Sequence, residues 1–281
     1  MGRIFFKSEN GGRREPLTTR LRGNDALAGN LDTGLLKILA LVFMFVDHTG
    51  AILFHNLTEM RVIGRLALPL YMWCIVVGCE RTHDIGKYAF RLLLLAIVSQ
   101  PINMIALDNP WTRLNVLFVL FLGVCCIAAF QSRQYYSQFW VPLLCYVFLG
   151  FVNVDYGWKG LTFLLLLYAA RKTTAGLAAT YTAFALFWGS SSGMFNTLFG
   201  LPLTLLSWPG VGPVLQAFFR MQGMVIFALP LILIPMHSGL RMPRWLGYAF
   251  YPLHLVIILI IRLLMGVPLS AMLSGVLTLP W

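Results

Sequence analysis

Asp47 and His48 stand side by side in FVDHTGAILF, inside a run that otherwise reads as lipid-embedded helix. Titratable groups at membrane depth are costly, usually face the interior of a bundle, and mark a functional site by default. His48 lies thirteen residues past Leu35, which puts it about 20 Å into its helix at 1.5 Å per residue. Helical periods back from His48 meet Met44, Leu41 and Lys37, and forward ones meet Ala51, Ile52 and His55. One stripe thus joins a lysine at the cytoplasmic mouth to a buried imidazole. That suits a long anionic cosubstrate with its charged head near Lys37 and its reactive end near His48, because imidazole is the natural general base near neutral pH. Asp47 points about 100° away around the helix and is not automatically the partner that orients His48. The pair reads equally well as a buried polar network that fixes helix packing.

Other polar groups stand at comparable positions. RVIGRLALPLYMWCIVVGCERTHDIGKYAFRL carries Arg65 at the outer start of its span, as a counter-ion for Asp47, and Arg81, Lys87 and Arg91 toward the inner end. The last three suit phosphate binding; positive-inside flanks account for them as well. Gln100 and Asn103 flank Pro101, a kink site, and Asn115 opens the next span; such amides are expected to glue helices together. In VNVDYGWKG, Asp155 faces an incoming cationic acceptor, while Tyr156 and Trp158 belong to an aromatic belt. His254, in YPLHL, lies about 15 Å past Arg244 with Tyr251 on a similar face, and is the second candidate imidazole. There is no Walker A loop, GxSxG elbow, HExxH or metal-ligand spacing. A proton-coupled transporter stays open, since proton relays also use buried Asp and His.

These groups must be held by membrane helices. Of 281 residues, 59% are hydrophobic and 11% charged, and the mean hydropathy is +0.78. The formal charge of +11 lies at the ends of apolar runs or in the N-terminal tail, without the basic and aromatic interleaving of a nucleic-acid face. The expected fold is all-α, a polytopic transmembrane bundle of about nine spans (range 8–10), at 35–54, 61–79, 88–107, 113–130, 139–154, 157–173, 174–193, 213–236 and 244–265. With the N-terminus inside, fifteen of the 21 Lys and Arg fall on the inner side, which favours nine spans over ten. Met194 to Gly210, broken by Gly200, Pro202 and Pro209, reads as re-entrant or interfacial. Residues 1–34 read as a disordered basic cytoplasmic tail and 35–281 as the transmembrane domain. The five cysteines sit in or beside apolar runs as small hydrophobes.

LKILALVFMFVDHTGAILF, the IGRLALPL and GCERTHDIGKYAFRL blocks, DYGWKGLTFLLLLYAAR and YAFYPLHLVII occur in an order that resembles the TraX family across residues 34–265. The resemblance implies a multi-spanning acyltransferase-like domain of the bacterial inner membrane. It implies an acetyl-CoA-dependent N-acetyltransferase acting on the N-terminus of a pilin subunit in conjugative pilus biogenesis. Asp47, His48 and His254 are then the catalytic candidates, with Lys37, Arg81, Lys87 and Arg91 on the donor and Arg65, Tyr251 and Asp155 on the acceptor side. An O-acetyltransferase acting on an envelope glycan, a transporter and a non-catalytic pilus-assembly partner are the alternatives.

Overall fold

The computed structural model describes residues 27–54, 57–195, 197–198, 201–240 and 242–277, so residues 1–26 of the expected tail lie outside the described chain. Helices begin where a short polar side chain satisfies the first free backbone N–H groups. Asp32 caps α1 (Thr33–Ile52) by accepting from Leu35 N, and Asp84 caps α4 (Ile85–Ala106) by accepting from Lys87 N. Asn115 caps α5 (Val116–Ser132) and Thr173 caps α8 (Thr174–Ser190) in the same way. The second expected span is divided into α2 (Thr58–Gly64) and α3 (Ala67–Arg81). Pro69 lacks the N–H that would bond the Arg65 carbonyl, and the chain turns at residues 65–66. Between α5 and α8 lie α6 (Ser137–Phe151) and α7 (Gly157–Ala170).

Four helical runs among the described residues are long and apolar enough to cross a membrane: Thr33–Ile52, Thr58–Arg81, Ile85–Ala106 and Trp245–Leu264. The helices α5 to α8 fall in the expected places but have only 14 to 17 residues, short of the roughly 20 that cross a full hydrocarbon core. The expected span at 213–236 is not one helix. It consists of α9 (Gly212–Phe218), a 3-10 turn at Gly223–Ala228 and α10 (Leu229–Leu233). The interruption falls at Arg220–Gln222, where Arg220 and the Gln222 backbone N–H turn aside to bond Ser192. Pro230 then opens α10 at a position where its missing N–H costs nothing. Two-residue strands complete the fold: β1 (Arg113–Leu114) pairs in parallel with β2 (Asn153–Val154), and β3 (Thr197–Leu198) pairs antiparallel with β4 (Leu201–Pro202). The latter pair and a 3-10 turn at Thr204–Ser207 occupy the stretch expected to be re-entrant or interfacial. The chain continues through α11 (Arg244–Leu264) to α12 (Leu269–Leu277).

The helix α3 is the centre of the bundle: Leu70, Met72, Trp73, Val76 and Val77 are fully buried. It packs against α1, α5 and α7, while α1 also packs on α2 and α11. The outer helices turn apolar side chains outward. On α6 only Ser137 and Cys145 are buried, and Phe139, Leu143, Leu144, Val147 and Phe151 are exposed. A surface of that kind is stable against hydrocarbon rather than water.

Residues 27–32, at the end of the stretch read as tail, are packed into the fold. Gly29, at φ +85°, makes a turn in which a Cβ would stand 2.6 Å from the Ile232 carbonyl. Asn30 is fully buried; its side-chain N–H donates to Leu231 O, and its carbonyl accepts from Trp73 Nε1 at 2.7 Å. Asp32 accepts from both Ser238 N and Ser238 Oγ, tying the start of α1 to the loop before α11. Those bonds from Ser238, followed by that from Leu35 N, hold the Asp32 carboxyl below the ordinary carboxylate range. Asp32→Ala is expected to cost about 1 kcal/mol through the lost cap, read as a lower melting temperature in detergent at pH 7. A depressed carboxyl stabilises the fold above its unfolded pKa and loses that effect on acidification. The gap between wild type and variant should therefore close below about pH 4.

Candidate functional site

The C-terminal half of α1 meets α2 around one buried carboxylate. Asp47 Oδ1 and Oδ2 accept from Arg65 Nη2 at 2.8 and 3.0 Å, and Arg61 Nη1 pairs with Oδ2 at 3.0 Å. Arg61 also donates to the Asp47 carbonyl at 3.0 Å. Helical spacing in RVIGR explains the shared target, because residues four apart lie on one face. Gly64, between them, lets the helices close: a Cβ there would collide with Asp47 Cβ. Arg65 is itself buried and donates onward from Nη1 to Tyr156 Oη at 3.3 Å. The Asp47–Arg65 pair expected from the sequence is present; Asp47 turns to these arginines, and His48 turns to another helix.

That helix is α11. His48 Nδ1 lies 2.7 Å from His254 Nε2, with the rings 9° from parallel. His254 Nδ1 lies 3.0 Å from the Phe250 carbonyl, which can only accept. With both imidazoles neutral, these contacts dictate the tautomers. His254 donates from Nδ1 to Phe250 O, so its Nε2 carries a lone pair; His48 donates to that lone pair from Nδ1. The Nε2 of His48 is left with a free lone pair. Phe250 stacks on His254 and Tyr251 meets it edge-on, fixing the ring further.

A cavity of about 740 Å³ runs along α1 and is lined by Lys37, Met44, Asp47, His48, Ala51 and Ile52. The volume is within the range of sites that enclose a small ligand or cofactor. Lys37 and His48 are eleven residues apart, about 16 Å along the helix. The cavity also takes in Arg65, Tyr251 and Asp155; His254 is 1% exposed and stands behind His48. Tyr251 accepts from Asn103 Nδ2 at 3.4 Å, and the Asp155 carboxylate is held by Arg113 Nε at 2.6 Å. Arg81, Lys87 and Arg91 are exposed at the end of α3 and in the first half of α4 and do not line the cavity. Arg81 reaches the Leu31 carbonyl and Lys87 pairs with Asp84. Among the described residues, no three His, Cys, Asp or Glu side chains group closely enough to hold a metal ion.

Sequence reasoning assigned no site role to Arg61, Arg113, Tyr156, Trp188 and Gln222, all of which line the cavity. The spacing of Arg61 and Arg65 was a usable signal, since both fall on the face that meets Asp47. Tyr156 and Arg113 gave none. They are brought to the cavity by the β1–β2 pairing, between segments about forty residues apart.

Comparison with known proteins gives a family. The model described as TraX protein matches residues 32–262. An uncharacterized protein of Rickettsia prowazekii (strain Madrid E) is 29% identical over 150 residues, covering 51% of this chain and 57% of the relative. A probable fimbrial assembly protein, FimC of serogroup H1, of Dichelobacter nodosus is 31% identical over 112 residues, covering 35% of this chain and 46% of the relative. The chain thus spans about half the length of these two curated relatives. No solved structure is significantly similar.

The closeness of α1 and α2 is testable through glycine. Gly64→Ala should force the helices apart and cost about 1–3 kcal/mol, measured as a fall in melting temperature. Gly78→Ala is the control. A Cβ there meets only the Tyr88 ring at ordinary contact distance, and the helix propensity of alanine makes the change neutral or stabilising.

Proposed function

We propose, on the premise that this chain belongs to the TraX family, that it is an acetyl-CoA-dependent N-acetyltransferase of the bacterial inner membrane. Its acceptor in this reading is the N-terminal amine of a pilin subunit in conjugative pilus biogenesis. The observation that carries the reading is the 2.7 Å contact from His48 Nδ1 to His254 Nε2, which leaves a basic His48 nitrogen on the wall of a cavity that also contains Lys37. The fimbrial-assembly name of the Dichelobacter nodosus relative supports the pilus context.

Acetyl-CoA enters from the cytoplasmic end. Arg81, Lys87 and Arg91, exposed on α3 and α4, raise the local concentration of the anion, and Lys37 pairs with a phosphate inside. The acetyl thioester lies near His48. The acceptor amine, reaching the cavity from the Arg61 and Asp155 end, attacks the thioester carbonyl carbon while His48 Nε2 takes its proton. Collapse of the tetrahedral intermediate breaks the carbon–sulfur bond, and the thiolate leaves with the proton that His48 held. His254 keeps the His48 tautomer in place and shares the positive charge that forms. Asp47 acts at a distance, by holding Arg61 and Arg65.

One observation favours a second acceptor. Among the described residues, Asp47 and Asp155 are the carboxylates that line the cavity, and both are engaged by arginine. A cationic ammonium finds no free counter-ion there, whereas a hydroxyl needs none, so O-acetylation of an envelope glycan is the alternative within the same chemistry.

Purified protein in detergent, given labelled acetyl-CoA and a pilin N-terminal peptide, should transfer the label; His48→Ala should lower kcat by at least about 100-fold. Lys37→Glu should raise the KM for acetyl-CoA about tenfold, equivalent to about 1.4 kcal/mol, with a much smaller change in kcat. A wild-type protein that binds no acetyl-CoA would remove the acyltransferase reading and leave transport or pilin binding without chemistry. Label appearing on a glycan hydroxyl instead of the peptide would select the second acceptor.

A further inference from the structure

We infer that Tyr156 is the hydrogen-bond donor to the oxyanion of the tetrahedral intermediate, a role that rests on the acyl-transfer reading and adds a catalytic group to it. Acyl transfer accumulates negative charge on the former carbonyl oxygen. Donors already aimed at that position supply much of the rate of such reactions. His48 cannot be that donor, because its Nδ1 is given to His254 and its Nε2 has to receive a proton from the nucleophile. A separate O–H or N–H is required on the same cavity wall.

Tyr156 meets the requirement. Its hydroxyl oxygen accepts from Arg65 Nη1 at 3.3 Å, and among the described residues no acceptor takes the hydroxyl proton. That proton is free to point into the cavity, which Tyr156 and His48 both line. The bond from a guanidinium draws electron density from the phenol oxygen and makes the O–H a stronger donor. Arg65 is committed through Nη2 to Asp47 and through Nε to the Arg61 carbonyl, so it acts as a fixed positive support behind the phenol.

The backbone is bent to deliver this ring. Tyr156 has φ +65°, a left-handed conformation that is costly for a bulky residue and that accumulates at functional sites. Just before it, the β1–β2 pairing and a bond from Asp155 N to Leu114 O hold the loop, and just after it α7 begins. Gly160 clears the space: a Cβ there would stand 2.9 Å from Tyr156 Cβ. Trp188 closes edge-on against the ring at 5.7 Å between centroids and fixes its direction. An aromatic-belt residue does not need the arginine.

The chemistry balances without a further reactant. As the amine nitrogen bonds to the thioester carbon, the carbonyl π pair moves to oxygen and is stabilised by the Tyr156 O–H, which keeps its proton. When the pair returns, the carbon–sulfur bond breaks, and His48 gives the amine proton to the departing thiolate.

The test compares wild type, Tyr156→Phe and His48→Ala as full-length protein in detergent with labelled acetyl-CoA and acceptor peptide. Tyr156→Phe should lower kcat about 100-fold while the KM for acetyl-CoA stays within about twofold and the pH profile keeps the wild-type shape. A kcat within about threefold of wild type overturns the assignment while leaving the acyl-transfer reading intact. A wild type without transfer overturns both. If Tyr156→Phe also lowers the melting temperature, fluorotyrosines placed at 156 decide: a kcat that follows phenol acidity supports the donor role, and one that ignores it overturns it.

Discussion

The buried Asp47 carboxylate is the constraint on which the meeting of α1, α2 and the start of α7 depends. A carboxylate away from water is tolerated only when its charge is matched and its lone pairs are used. Here Arg65, itself buried, and Arg61 supply both needs. Matching them requires α1 and α2 to approach more closely than ordinary side chains permit, and Gly64 makes the approach feasible. The pair then sets the direction of Arg65, and Arg65 sets Tyr156. One electrostatic demand thus propagates from α1 to the start of α7, and the ends of three segments become a rigid wall.

His48 is adjacent in sequence to that carboxylate and belongs to a different set of contacts. The 100° turn between consecutive helical residues sends Asp47 toward α2 and His48 toward α11. Adjacent titratable residues are thereby free to serve two purposes, electrostatic closure of the wall and, on the acyl-transfer reading, proton transfer at the imidazole. Separating the purposes keeps the imidazole free of a direct carboxylate partner. Its orientation comes from a second imidazole and a backbone carbonyl, both neutral.

How much of this could be read in advance follows the range of each interaction. The stripe from Lys37 through Met44 to His48 is a property of one helix and was legible from its period; Lys37, Met44, His48, Ala51 and Ile52 line one cavity, Leu41 is buried away from it, and His55 lies outside the described residues. The caps at Asp32, Asp84, Asn115 and Thr173 are equally local. Gln100 and Asn115 bond each other as membrane amides are expected to. The contact of His48 with His254 spans 206 residues, and no local pattern encodes it. Tyr156 was hidden because its position depends on a two-residue strand pair and a left-handed backbone, neither of which leaves a period. Hydropathy also overstated the region at 213–236, where apolar composition is high but Arg220 and Gln222 are drawn to Ser192 and the helix breaks. The packed segment at 27–32 looked like tail because its polar side chains, Asn30 and Asp32, are buried or bonded by partners some 200 residues away.

The pairing of α1 with α11 has a temporal side. A chain threaded into the bilayer from its N-terminus carries His48 long before the ring that selects its proton position is made. Until the late helix docks, the early imidazole is free to hold its hydrogen on either nitrogen, and its proton position is not yet selected. On the acyl-transfer reading, a half-made protein therefore lacks both the fixed tautomer and the part of the cavity wall that Gly247, Tyr248 and Tyr251 supply, and full competence arrives with the docking of that helix.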